Sequence, residues 1–174
     1  MAAVDERLFL ILFDWGQRSP VLGAVATVAA RGASRVFSSL YLVGLMYLLI
    51  VGDDHLGLYI LGPALSIALT LTFHRFVQRP RPGVGLPNLR LQKLDVRVRG
   101  ASFPSKHSVS AFSIAGVIAV RWPALGVAVL VLAAVAAASR VIDGAHYPSD
   151  VAAGSVLGLG LVCLLSRVLI AASL

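Results

Sequence analysis

Charge is what this 174-residue chain has least of. Only 13% of its residues are Asp, Glu, Lys or Arg, where a soluble domain carries about 25%. Carboxylates are the scarcer sign, eight against fifteen Lys and Arg, which leaves a net charge of +7. Cysteine occurs once, at Cys163, so neither an intramolecular disulfide framework nor a Cys-cluster metal site exists. No internal repeat and no low-complexity linker divides the chain. A cleaved signal pattern is missing too: Met1–Arg7 carries Asp5 and Glu6, and the apolar piece Leu8–Phe13 is short, so the segment is expected to stay in the mature protein. What the chain does have is 58% hydrophobic residues and a mean hydropathy of +0.88. These values argue against a soluble globular protein, a disordered chain or a nucleic-acid-binding tail. They describe a membrane protein, and its excess cations suit lipid headgroups or a membrane surface.

Six uncharged stretches follow one another: Ser19–Ala30, Val36–Gly52, Leu56–Phe73, Ser108–Val120, Trp122–Ser139 and Val151–Ser166. A straight span needs roughly 20 apolar residues, with a lower limit near 17. Val36–Gly52, Leu56–Phe73 and Trp122–Ser139 meet that length. Ser108–Val120 gains length if Pro104 is the first helical residue. Val151–Ser166 continues past Arg167, whose side chain can snorkel to the headgroups. Ser19–Ala30 is short, and with Leu8–Phe13 it reads as a broken or partly interfacial helical hairpin. The expectation is a single domain over residues 1–174, an all-α integral membrane bundle of about six helices. Gly154 and Gly158 form a GxxxG pair on the last helix, the mark of a close packing face.

The one long polar segment is His74–His107. It holds Arg75, Arg79, Arg81, Arg90, Lys93, Arg97, Arg99 and Lys106, eight of the fifteen cations, against Asp95 alone. A loop this long inside a compact bundle is usually functional or disordered. Within it, Leu94–Arg99 alternates apolar and charged residues, as either a headgroup-selecting lid or an ordinary interfacial loop would. Because successive spans reverse direction, four chemically rich helix ends fall on one membrane face. They are Arg79-Pro80-Arg81-Pro82, Phe103-Pro104-Ser105-Lys106-His107, Ser139-Arg140, and Gly144-Ala145-His146-Tyr147-Pro148-Ser149-Asp150.

Each cluster suits a phosphate. Pro104 and Pro148 sit where first helical residues are expected, and a helix N-terminus offers free N–H groups and a positive dipole end to an anion. Ser105 and Lys106 fall in such a first turn, and Arg81 and Arg140 add guanidinium forks. The plainer reading of an arginine here is juxtamembrane charge or lipid contact, which suits Arg31, Arg35, Arg90 and Arg97. It suits Arg81 and Arg140 less, since each is tied to a His or Pro motif. Neutral imidazole attacks phosphorus and imidazolium protonates a leaving oxygen, so His146 and His107 divide those two tasks. Asp150, four residues after His146, can bond the second ring nitrogen and fix its tautomer. A metal site of His74, His107, His146 and Asp150 is the alternative, but the surrounding positive charge would repel a divalent cation, so no metal or other cofactor is expected. His55, beside Asp53 and Asp54 on the opposite face, reads as a solvated turn.

These residues carry a resemblance. Pro104-Ser105-Lys106-His107 is similar to the PSxH signature of the type 2 phosphatidic acid phosphatase superfamily. Ser139-Arg140, five residues, His146, three residues and Asp150 resemble its SRx5Hx3D signature, and Arg81-Pro82 the end of its Kx6RP signature. The resemblance implies that His146 attacks phosphorus, that Asp150 orients it and that His107 protonates the leaving group. It further implies that Arg81, Arg140, Ser105 and the backbone near Lys106 hold the phosphoryl oxygens without a metal. The chain departs from the first motif: the family's Lys falls on His74, with Arg75 beside it, so either His74 or Arg75 would take that role.

The function this implies is hydrolysis of a membrane lipid phosphate or diphosphate. A polyprenyl diphosphate of the undecaprenyl type is first among the substrates, with phosphatidylglycerol phosphate, phosphatidic acid and lipid A phosphates as rivals. The family's soluble vanadium haloperoxidases fit poorly with uncharged spans. A transporter or a non-catalytic lipid-binding protein is the alternative of another class. Ion-coupled transport usually requires ionisable residues within the spans, and here only Arg121 and Arg167 lie at their margins. The resemblance further implies a bacterial cell membrane with an outward-facing site, although the basic site face counts toward the cytoplasm by charge.

Overall fold

The computed structural model describes residues 2–86 and 100–172. The alternating segment Leu94–Arg99 lies outside the described residues. The elements, in order, are α1 (Ala2–Arg18), α2 (Pro20–Val51), α3 (Leu56–Phe76), α4 (Pro82–Gly85), α5 (Lys106–Arg121), α6 (Pro123–Ile142) and α7 (Pro148–Ala172). Among the described residues there is no strand. The chain is an integral membrane protein: α2, α3, α6 and α7 are each long and apolar enough to cross a bilayer.

α5 runs between the same two ends of the bundle but differs from the expected self-sufficient span. At 16 residues it is shorter than the other four. It begins at Lys106, with Ser105 as its N-cap, so Pro104 is not its first helical residue. The Pro104 carbonyl is instead taken by the His74 ring, whose Nε2–H donates to it at 2.8 Å. Ser108, Ser113 and Gly116 of α5 are buried against other helices, where small and polar residues permit close packing. At Gly158 on α7, a Cβ would stand 2.4 Å from the Val109 carbonyl oxygen, and at Gly154 2.7 Å from that of Ser105. Only glycine lets α7 lie this near to the start of α5. Phe37, Leu48, Tyr59, Ile118, Val129 and Val162 complete the central core.

The N-terminal third departs from the expected hairpin. Ser19–Ala30 and Val36–Gly52 are one continuous helix, α2, of 32 residues. Its length of about 48 Å exceeds the roughly 30 Å hydrocarbon core. No proline separates the two stretches, the single Gly32 is tolerated within the helix, and Arg31 and Arg35 project from the exposed side. The Thr27 hydroxyl donates to Asp143 Oδ1 at 3.1 Å, beside the end of α6, so the first turns of α2 reach past the bundle. Ser19 caps α2, its hydroxyl accepting from Leu22 N–H at 3.3 Å, and Pro20 opens it. α1 then folds back over the same end. Phe9 and Phe13 pack against Val141, Tyr147 and Val151, while Val4, Leu8, Ile11 and Trp15 form an exposed stripe.

At the opposite end, Arg121 Nε donates to Asp53 Oδ2 at 2.6 Å, joining the end of α5 to the α2–α3 turn. The turn around His55 is therefore pinned: Asp53 Oδ1 accepts from the His55 N–H at 2.9 Å and lies 2.8 Å from His55 Nδ1. The ends of α3 and α6 and the starts of α5 and α7 share the other end of the bundle, as the alternating topology requires.

Candidate active site

Backbone bonds bring the four clusters together. Arg79 C=O accepts from Ser102 N–H at 2.8 Å, and Asp150 C=O from Ser105 N–H at 3.0 Å. The Arg140 carbonyl, at the end of α6, accepts from both Ala145 N–H (2.9 Å) and His146 N–H (3.2 Å). Gly144 makes that tight turn possible at φ 81°, a left-handed conformation that disfavours other residues. The five-residue spacing between Arg140 and His146 is thus the length of a helix end and one turn.

His146 is 1% exposed and Asp150 fully buried. The imidazole Nδ1 lies 3.0 Å from the Ser102 carbonyl oxygen and 3.3 Å from the Ser102 hydroxyl. A carbonyl only accepts, so Nδ1 carries the proton and Nε2 keeps its lone pair. That Nε2 is buried and has no hydrogen-bond partner among the described residues. The direct bond expected from Asp150 is replaced by a relay, because Asp150 Oδ2 stands 3.7 Å from Nδ1. Ser102 bridges them, its hydroxyl donating to Asp150 Oδ2 at 2.5 Å. Tyr147 N–H also donates to that oxygen, at 3.0 Å.

Two further residues, to which the sequence alone assigned no role in the site, join this cluster. Arg79 Nη1 donates to Asp150 Oδ1 and to the Ser149 hydroxyl, each at 2.7 Å, and Nη2 donates to Asp5 Oδ2 at 2.5 Å. The guanidinium lies 4.0 Å from the Tyr147 ring centroid. Asp5 accepts in turn from Ser149 N–H at 3.0 Å and from its hydroxyl at 2.5 Å. Burial alone would raise the Asp5 pKa, but the Ser149 and Arg79 bonds carry it below its ordinary 3.8. Burial opposes the charge on Arg79, and the two carboxylates more than restore it.

Arg81 Nε and Arg140 Nε are buried without hydrogen-bond partners among the described residues. Burial pushes the His146 pKa below its ordinary 6.5; Asp150 pulls it back, while the charges of Arg81 and Arg140 push it further down. The same Arg140 lines a cavity of about 300 Å³ with Lys106 and His107. The remaining wall is largely apolar, from Ala33, Phe37, Ile67, Ala111 and Ala136, with Ser34, Ser38 and Ser110 among them. Ser105 is fully buried as the N-cap of α5, its hydroxyl facing Ser108 N–H at 3.5 Å.

Of the residues expected at the first motif, His74 is partly buried and committed through Nε2 to the Pro104 carbonyl. Arg75 is exposed at the end of α3 and does not line the cavity. Among the described residues, no three His, Cys, Asp or Glu side chains assemble as a metal-binding group.

A buried histidine whose Nε2 has no hydrogen-bond partner among the described residues, beside arginine Nε atoms equally without one, is an arrangement that can receive an oxyanion. The chain belongs to the PAP2 superfamily, whose family model matches residues 55–172. The fold is similar to the crystal structure of Aquifex aeolicus LpxE, with a TM-score of 0.76 at 24% identity over 92% of this chain and 93% of that one. It is also similar to a transmembrane PAP2 type phosphatidylglycerolphosphate phosphatase from Bacillus subtilis, with a TM-score of 0.73 at 23% identity over 95% and 84% of the two chains. In sequence it is 42% identical over 79 residues to the bacitracin transport permease protein BcrC of Bacillus licheniformis. That match spans 45% of this chain and 38% of the relative's length.

Proposed function

We propose that this protein hydrolyses a phosphate or diphosphate on a membrane lipid through a phosphohistidine at His146. The observation that carries the reading is the buried Nε2 lone pair of His146, fixed by the Nδ1 contact to the Ser102 carbonyl, with Arg81 Nε and Arg140 Nε also buried and unpartnered among the described residues. Nε2 attacks phosphorus and the bond from phosphorus to the lipid-side oxygen breaks. That oxygen takes its proton from His107 as imidazolium. Water then attacks the phosphohistidine, gives its proton to the neutral His107, and the P–N bond breaks to restore Nε2. Arg81, Arg140, Ser105 and the N–H groups near Lys106 hold the phosphoryl oxygens, stabilisation by fixed donors that requires no metal. His74 serves by bracing the start of α5 through the Pro104 carbonyl.

The substrate we assign is a polyprenyl diphosphate of the undecaprenyl type. The cavity supports a lipid of this kind, since it joins a cationic end at Lys106, His107 and Arg140 to apolar walls between α2, α3, α5 and α6. The orientation we assign is an outward-facing site in a bacterial cell membrane, which labelling of a cysteine introduced at Asp54 in intact cells tests.

The deciding experiment is phosphate release by the detergent-purified protein, with EDTA present, from undecaprenyl diphosphate, phosphatidylglycerol phosphate, phosphatidic acid and lipid A. EDTA-resistant release that His146→Ala lowers by about 10³-fold or more is the expected result, with undecaprenyl diphosphate turned over fastest. A faster rival lipid changes the substrate assignment, and release abolished by EDTA and restored by a divalent cation refutes the metal-independent mechanism. No release from any of the four, with lipid-phosphate binding intact, moves the protein to the binding or transport class.

A further inference from the structure

We infer that Asp5, on the N-terminal helix α1, is a positioning residue for the reaction, acting through Arg79 on the Asp150–Ser102–His146 cluster. The inference rests on the phosphatase reading of His146 and adds a residue outside the segment 55–172 that the family model matches. Arg79 has two ends in use: Nη1 holds Asp150 and Nη2 holds Asp5. Asp150 presents one oxygen to Arg79 and the other to Ser102 and Tyr147 N–H. The orientation of the fully buried Asp150 therefore depends on where Arg79 is held. Asp5 also takes both polar hydrogens of Ser149, the residue that precedes Asp150 in the first turn of α7. α1 thus grips the start of α7 at two points and fixes the guanidinium between two carboxylates.

Charge matters as much as direction. Asp150, Arg81 and Arg140 bear on His146 directly, and His107 faces the same end from α5. Arg79 would add a further positive field were it not offset by Asp5. Asp5 touches no phosphate-holding group, so its loss slows the chemical step and leaves substrate binding unchanged.

The test uses the full-length protein and the lipid phosphate that it turns over fastest. In Asp5→Ala, kcat falls about tenfold, the worth of one hydrogen bond to a charged group, while KM holds within about twofold. The acid limb of the pH–rate profile moves to lower pH, because an Arg79 no longer balanced by Asp5 makes the field at His146 more positive. Arg79→Ala alone and the Asp5→Ala/Arg79→Ala double variant lose the same activity, since residues in one relay are non-additive. Asp5→Glu recovers part of the loss. Where Asp5→Ala does not purify as a folded protein, Asp5→Asn carries the same comparison. An unchanged kcat, additive losses in the double variant, or a loss in KM with an unmoved acid limb overturns the inference. Absence of phosphate release from the wild type fails the phosphatase reading itself, a separate result.

Discussion

Ser102→Ala separates a relayed carboxylate–histidine pair from a direct one. The backbone carbonyl that accepts the Nδ1 proton of His146 survives this substitution, so the tautomer is kept, and with it the buried Nε2 lone pair that has no partner among the described residues. What disappears is the hydroxyl bond to Asp150 Oδ2 at 2.5 Å. That oxygen then retains only the Tyr147 N–H, at 3.0 Å. A hydrogen bond to a charged group contributes about 1.5–3 kcal/mol, and both partners here are fully buried, which places the loss toward the upper end. The removed hydroxyl leaves too small a void for the cavity to add much. If the whole amount were felt in the transition state, kcat would fall roughly 10- to 150-fold, since about 1.4 kcal/mol is a factor of ten. Because the carbonyl contact persists, we expect a decrease of about tenfold in kcat at unchanged KM, with an accompanying loss in detergent melting temperature. Steady-state phosphate release and thermal unfolding of the purified variant measure the two quantities. A kcat within twofold of wild type would refute the bridge and leave Asp150 acting across 3.7 Å by charge alone. A loss as large as that of His146→Ala would refute the claim that the carbonyl holds the ring unaided.

Two predictions concern properties other than the relay. The His146 pKa lies below its ordinary 6.5, chiefly through burial, so the neutral nucleophile persists below pH 6.5 and the acid limb of kcat/KM falls correspondingly low. In the same window the unfolded chain binds a proton that the folded one does not, so stability falls as pH drops below 6.5 and rises as pH climbs; thermal melts of wild type and His146→Gln between pH 5 and pH 7 test the sign. Gly158→Ala should destabilise the bundle by about 1–3 kcal/mol, because its Cβ would meet the backbone at Val109 O (2.4 Å) and Ser113 N (3.0 Å), atoms that cannot rotate away. Gly160→Ala, with nothing within 4 Å, should melt with the wild type; equal melting of both variants would refute the close-packing argument.

What was legible in the sequence, and what was not, divides along a physical line. Regular structure announces itself by runs of uncharged residues, so the spans at α3, α6 and α7 were readable to within a few residues. The reversing order of those spans was enough to bring His107, Arg140, His146 and Asp150 to one end. The continuity of α2 was hidden because Arg31 and Arg35 interrupt its apolar run. Charge interrupts hydropathy, whereas a helix is broken only by its backbone, and long cationic side chains tolerate a membrane margin by reaching outward. Ser102 was invisible for another reason: a serine gains its role from the backbone carbonyl and hydroxyl that a loop presents, and no spacing encodes that. Arg79 and Asp5 lie between these cases. Arg79 opens the Arg-Pro-Arg-Pro run, yet nothing in that run distinguishes the guanidinium that faces a carboxylate from the one left free. Asp5, Phe9 and Phe13 recur every four residues along α1, and Phe9 and Phe13 are buried. A carboxylate on the buried stripe of an otherwise apolar contact needs a cation, because an unpaired buried charge is costly. Applied to Asp5, that rule demands a cation at the site end of the bundle, and the structure supplies Arg79 there. The N-terminal helix is therefore fixed to the site by a charge that its own packing obliges it to satisfy.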